Sequence, residues 1–112
     1  MTRHALAIFI TGSIVLALPL GAAAQSAEQG AALFTSQKCS MCHSIAGKGN
    51  PKGALDSVGS KLKADEIKQW ITDPDAMRAK TKATRTPAMK QLKLAPDQID
   101  ALVAYLGTLH GK

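Results

Sequence analysis

The sequence predicts an all-α domain of three to four helices, and three observations carry that expectation. Apolar residues recur at helical spacing in three separate stretches, and no stretch shows the alternation of a half-buried strand. Aromatic residues are sparse: beyond the first 24 residues they are Phe34, Trp70 and Tyr105 alone. Both cysteines of the chain fall within one pentapeptide, Cys39-Ser40-Met41-Cys42-His43.

That pentapeptide reads C-x-x-C-H, the pattern that attaches a c-type haem. Cysteines three apart lie about one helical turn from each other and share a face. Their sulfurs can reach the two vinyl groups on one edge of a porphyrin and form two thioethers. His43 then lies under the iron, and imidazole is a standard axial ligand. Two other readings of C-x-x-C compete. A thioredoxin-type redox pair wants a βαβ context, which the sequence lacks. A structural zinc site wants about four ligands. Beyond the first 24 residues only Cys39, Cys42, His43 and the distant His110 could serve.

The chain has 112 residues, which allows one small domain. Residues 1–24 read as a secretion signal. Arg3 and His4 form a basic start, and Ala5 to Leu18 an apolar run. Pro19 and Gly21 break that run, and Ala22-Ala23-Ala24 is a small-residue cleavage site, with the cut expected after Ala24. The run is shorter than the roughly 20 residues of a membrane span. Export to a bacterial periplasm is therefore expected, with residues 25–112 as the mature domain. A domain of that size buries a modest core and needs a staple. A covalently attached apolar plate supplies one.

The formal net charge is +6. It suits an acidic partner surface or anionic lipid heads. Nucleic acid is not expected, because the protein is read as exported and carries no nucleic-acid motif.

The elements follow in order. Ser26 to Lys38 reads as a helix opened by an S-x-x-Q capping box, Ser26 with Gln29. Gly30 and Phe34 share one of its faces. Ser44 to Ser60 reads as a loop, with turn signals at Gly47, Gly49, Asn50-Pro51 and Gly53. A ligating histidine gives its second ring proton to a carbonyl or carboxylate. A carbonyl in Gly53-Ala54-Leu55 is the candidate.

Lys61 to Thr72 reads as a helix with Leu62, Ile67, Trp70 and Ile71 apolar, stopped by Asp73-Pro74. Trp70 is core, or its indole N–H meets a haem propionate. Asp73 to Ala95 reads as a long irregular segment carrying Arg78, Lys80, Lys82, Arg85, Lys90 and Lys93. Pro96 to His110 reads as the last helix, with Ile99, Leu102, Val103, Leu106 and Leu109 as its stripe and Gly111 as its stop.

A six-coordinate iron needs a second ligand opposite His43. Met41 is tethered on the His43 side, and His110 ends a terminal helix. Met77 and Met89 both fall in the irregular segment. Met89 is favoured, because Pro87 stiffens its approach and the last helix follows it; Met77 is the alternative. A thioether ligand favours ferrous iron and leaves no open position, which points to electron transfer.

Taken together, the chain resembles a small bacterial monohaem class I c-type cytochrome. Besides C-x-x-C-H, the Gly30/Phe34 pair is similar to the family's glycine–aromatic pair, and Leu102 and Tyr105 to its partners in the last helix. Pro87-Ala88-Met89 is similar to the P-x-M that brings the distal methionine. Trp70 is similar to a tryptophan that contacts a propionate in some members. The loop facing the histidine departs from the family: Ala54 stands where a proline is frequent after the glycine.

The resemblance implies a cytochrome c-like fold around one covalent haem c per chain. It implies a monomeric periplasmic electron carrier with no substrate turnover of its own. Its partner would be an oxidase, dehydrogenase or reductase with an acidic docking surface, and membranes would be met only transiently or through that partner. The alternatives are a haem subunit dedicated to one periplasmic complex and, further off, a ligand-sensing haem protein.

Overall fold

Helices α1 (Ala22–Ser36) and α5 (Pro96–Gly107) cross at a glycine, and the rest of the fold hangs on that crossing. The computed structural model describes Gly12 and residues 22–111. The basic start and nearly all of the apolar run of the expected signal lie outside the described residues. Gly30 is buried, and a Cβ there would run into the Ala101 carbonyl and Tyr105 Cβ, so the two helices meet backbone to backbone. Beside the contact, the Phe34 and Tyr105 rings meet edge to face, with centroids 6.1 Å apart at 66°. Phe34, Leu102 and Leu106 join Ile67 and Ile71 of α3 (Ala64–Thr72) in one buried cluster.

The start of α1 differs from expectation. The helix begins at Ala22, so Ser26 is an interior residue and the expected capping box does not form. The alanines ahead of Ser26 are the strongest helix formers and carry the helix back through them.

After α1, Lys38 takes the left-handed conformation (φ 57°, ψ 34°) and breaks the helix. A short 3₁₀ turn, Cys39–Met41, follows at once. Strands β1 (Ser44–Ile45) and β2 (Lys48–Gly49) form a two-residue-turn hairpin, and a second 3₁₀ turn spans Pro51–Gly53. Asn50 caps that turn by accepting from Lys52 N at 3.0 Å.

The expected helix from Lys61 to Thr72 forms only from Ala64 onward, and a short helix lies before it, mostly within the expected loop. Short α2 (Val58–Lys61) is pinned to the residues that follow α5 by Gly59 N donating to Leu109 O at 2.7 Å. Then α3 starts at Ala64, where Glu66 accepts from Lys63 N at 2.8 Å. That contact gives the helix a fixed start although the N-cap side chain, Lys63, can accept no hydrogen bond.

The largest correction concerns Asp73 to Ala95. Its first part is helix α4 (Pro74–Thr81), not an irregular stretch. Asp73-Pro74 ends α3 and also opens α4: the Asp73 carboxylate accepts from Ala76 N at 3.1 Å, and Pro74 takes the first helical position. Only the remainder, up to Ala95, is irregular.

Helix α5 starts at Pro96 as expected, with Gln98 Oε1 accepting from Ala95 N at 2.9 Å in place of a polar cap. It ends at Gly107, earlier than His110, so Gly111 (φ 70°) is not its stop. The last residues fold instead onto α2, where Ser60 Oγ donates to His110 O at 2.9 Å. Among the described residues, no helix is long and apolar enough to cross a membrane.

Candidate haem-attachment site

The 3₁₀ turn brings the pentapeptide into register. Both Cys42 N and His43 N donate to Cys39 O, at 3.1 and 2.9 Å, which curls the chain so that Cys39, Cys42 and His43 follow within one turn. Both cysteines are free thiols: Cys39 is half-buried and Cys42 exposed. Burial is the main cause that pushes the Cys39 thiol above its ordinary pKa; a backbone hydrogen bond opposes it, and the neighbouring Cys42 adds to it.

His43 is held by a hydrogen bond. Its Nδ1 lies 3.0 Å from the carbonyl oxygen of Gly53. A carbonyl can only accept, so Nδ1 carries the proton and Nε2 keeps its lone pair. The Gly53 carbonyl is itself placed by the chain that follows, where Leu55 N donates to Ser44 O at 2.8 Å and Ser44 pairs with Ala54. The carbonyl therefore reaches His43 with Ala54 in the position where proline is frequent. Burial, first of all, lowers the imidazole pKa; the Gly53 bond raises it, and the charge of Arg85 lowers it. The net direction favours the neutral ring that an iron requires.

The remaining carbonyls of the motif are met by two residues whose expected roles were different. Asn50 N donates to Ser40 O and His43 O, both at 3.1 Å, and Asn50 Nδ2 donates to Met41 O at 3.3 Å. Cys42 O accepts from the Arg85 guanidinium. Every carbonyl from Cys39 to His43 thus has a donor. Asn50 was legible only as a turn residue and Arg85 only as one cation among several.

The other expected site residues fall as follows. Met77 lies inside α4 and is 1 % exposed, so it is packed in protein and not presented by a loop. Met89 stays in the irregular stretch, half-buried. That stretch returns to the motif, because Arg85, Thr86 and Pro87 line a cavity of 510 Å³ together with Met41, Cys42, Asn50 and Lys52. Trp70 is half-buried on α3. His110 is exposed, with Nδ1 at 3.2 Å from Ser60 Oγ.

The residues present fit a haem. Two adjacent free thiols and an imidazole with Nε2 available are the donor set it needs. Apolar side chains that include Cys39, Ile45, Leu55, Val58 and Leu94 pack on the buried cluster yet remain only partly covered. Such partly covered apolar surface is what a large flat apolar group buries.

No curated protein and no solved structure matches the chain. The Cytochrome c family matches residues 27–110, which takes in most of α1, all of α5, the C-x-x-C-H turn and the Met89 stretch. The chain belongs to the Cytochrome c family: it is an all-α c-type cytochrome whose cofactor is covalently attached haem c and whose chemistry is haem-based electron transfer.

Proposed function

We propose that the protein is a bacterial monohaem class I carrier, exported to the periplasm, cut after about Ala24 and active as residues 25–112. Haem c supplies a one-electron ferric/ferrous couple. Cys39 and Cys42 hold it through thioethers, and His43 Nε2 is its proximal ligand. Met89 is its distal ligand. Trp70 offers its indole N–H to a propionate. The observation that carries this reading is the 3.0 Å bond from His43 Nδ1 to Gly53 O, which fixes the imidazole tautomer that binds iron. Met77 is the weaker distal candidate, since it is already buried within a helix.

A thioether on the distal side closes the coordination sphere, so the protein exchanges electrons and turns over no substrate of its own. Lys80, Lys82, Lys90 and Lys93 are exposed on one run of chain whose middle, Arg85 to Pro87, passes beside the motif, and this suits docking of a monomer to an acidic redox enzyme. A haem subunit dedicated to one periplasmic complex is the second reading, and a co-purifying partner would favour it.

The test is spectroscopic. The protein purified from periplasm should give a c-type pyridine haemochrome, and its native ferrous form should not take up carbon monoxide. Carbon monoxide binding by the native protein would move the reading to ligand sensing. Absence of haem after expression with the attachment machinery would end it. Electron exchange with an acidic redox partner should slow as salt rises; exchange indifferent to salt would remove the docking role of the cations.

A further inference from the structure

The segment that carries Met89 is long, irregular and fastened at few points. It leaves α4 with Ala83 N donating to Arg78 O at 3.2 Å, and it reaches α5 where Ala95 N meets Gln98 Oε1 at 2.9 Å. Between those ends, among the described residues, one hydrogen bond joins residues 84–91 to the rest of the chain. It runs from Arg85 Nη2 to Cys42 O, across 43 positions of sequence.

The contact is more than a single bond. Gly53 lies flush against the same guanidinium: a Cβ at Gly53 would collide with Arg85 Nη1 and Cζ and with Cys42 O. The guanidinium therefore sits in a seat formed by the backbone of the attachment motif and by the residue whose carbonyl holds His43.

We propose that Arg85 is the latch that seats the Met89 segment on the attachment motif, so that one side chain links the proximal and distal sides of the iron site. This rests on the reading of Met89 as distal ligand. Arg85 touches neither iron nor haem in this role; it is a positioning residue. Its bond shortens the free loop that precedes Met89, and a shorter loop returns its methionine to the iron with less entropic cost. A charge-assisted hydrogen bond to a carbonyl suits the task, because neither water nor a neutral amide matches its strength.

The test uses the complete haem-loaded protein and imidazole as a competing ligand for ferric iron. Wild type is compared with Arg85→Ala, Arg85→Gln and Met89→Ala. We expect Arg85→Ala to bind imidazole about tenfold more tightly, the scale of one charge-assisted hydrogen bond, at unchanged haem content. Its reduction potential should fall, because a loosened thioether supports ferrous iron less.

Arg85→Gln keeps a donor but loses the charge and some reach, and it should fall between the two. It also carries the test if the alanine variant fails to fold. Imidazole affinity within twofold of wild type in the Arg85 variants would overturn the latch. Failure of the underlying reading looks different: Met89→Ala would then match wild type in imidazole affinity, and the latch would fall with Met89.

Discussion

His43 Nδ1 and the carbonyl oxygen of Gly53 lie 3.0 Å apart, and this pair fixes which ring nitrogen is left for a metal. Burial is the largest influence on the ring and lowers its proton affinity; the Gly53 carbonyl works the other way, and Arg85 again lowers it. The outcome lies below the ordinary imidazole value of 6.5. A lowered value means that the folded site takes up a proton only at more acid pH than the unfolded chain does. Above 6.5 the free ring is therefore neutral, with Nε2 ready to bind a metal. Bound iron competes with the proton for Nε2, so an acid titration of the ferric spectrum should place the loss of proximal ligation well below 6.5.

Asn50 caps both the Pro51–Gly53 turn and the back of the attachment motif. Its side chain accepts from Lys52 N at 3.0 Å and donates to Met41 O at 3.3 Å. Asn50→Ala deletes both while leaving its backbone N–H in place. The loss of a capping side chain costs about 1 kcal/mol. In a domain of this size that is a fall in Tm of about 4–8 °C. A thermal melt unchanged within a degree would show that water replaces the side chain without cost.

At the α1–α5 crossing the stakes are larger. Gly30→Ala places a methyl group where the Ala101 carbonyl already lies. Backbone cannot swing aside as a side chain can, so the helices must separate. Overpacking of this kind costs about 1–3 kcal/mol. Denaturant unfolding should show a lowered midpoint, with less haem-loaded protein recovered from the periplasm. A midpoint equal to wild type would mean that the helices cross with slack.

These contacts mark what the sequence could and could not reveal. Gly30, Phe34, Leu102 and Tyr105 were legible because a close crossing of two helices demands a small residue beside large ones at helical spacing. The C-x-x-C-H turn and the Gly53 carbonyl were legible because ligand chemistry dictates them. Helix α4 was not, because it buries only Pro74 and Met77 and so shows no apolar period to read. Its start signal, Asp73-Pro74, is spelled the same as a stop. Arg85 was hidden for another reason: nothing local separates the cation that folds back onto Cys42 from the neighbouring cations that face solvent.

The β1–β2 hairpin turn holds a small reserve of stability. Ala46 and Gly47 both have positive φ, 52° and 76°, as a two-residue hairpin turn requires. Glycine meets this freely, but Ala46 carries a Cβ into the left-handed region, where an ordinary residue loses about 1 kcal/mol. Asparagine tolerates that region, and Ala46 is exposed. Ala46→Asn should raise stability by about 0.5–1 kcal/mol with the visible spectrum unchanged. A destabilised protein would show that the Ala46 N bond to Asp56 Oδ1, 2.7 Å long, does not survive the exchange.

The two methionines should separate most sharply. Met77 is 1 % exposed within α4, and truncating a fully buried methionine costs about 2–5 kcal/mol. Met89 is half-buried in the irregular stretch, where truncation removes little packing. Met77→Ala should therefore lower the unfolding midpoint strongly and keep the weak red-edge band of a methionine-ligated ferric haem. Met89→Ala should erase that band and lower the reduction potential, because the thioether that favours ferrous iron is gone. The reverse pattern, with the band lost in Met77→Ala and kept in Met89→Ala, would transfer the distal role to a residue inside α4. It would also require that helix to open when haem is attached, since Met77 is closed off in the fold described.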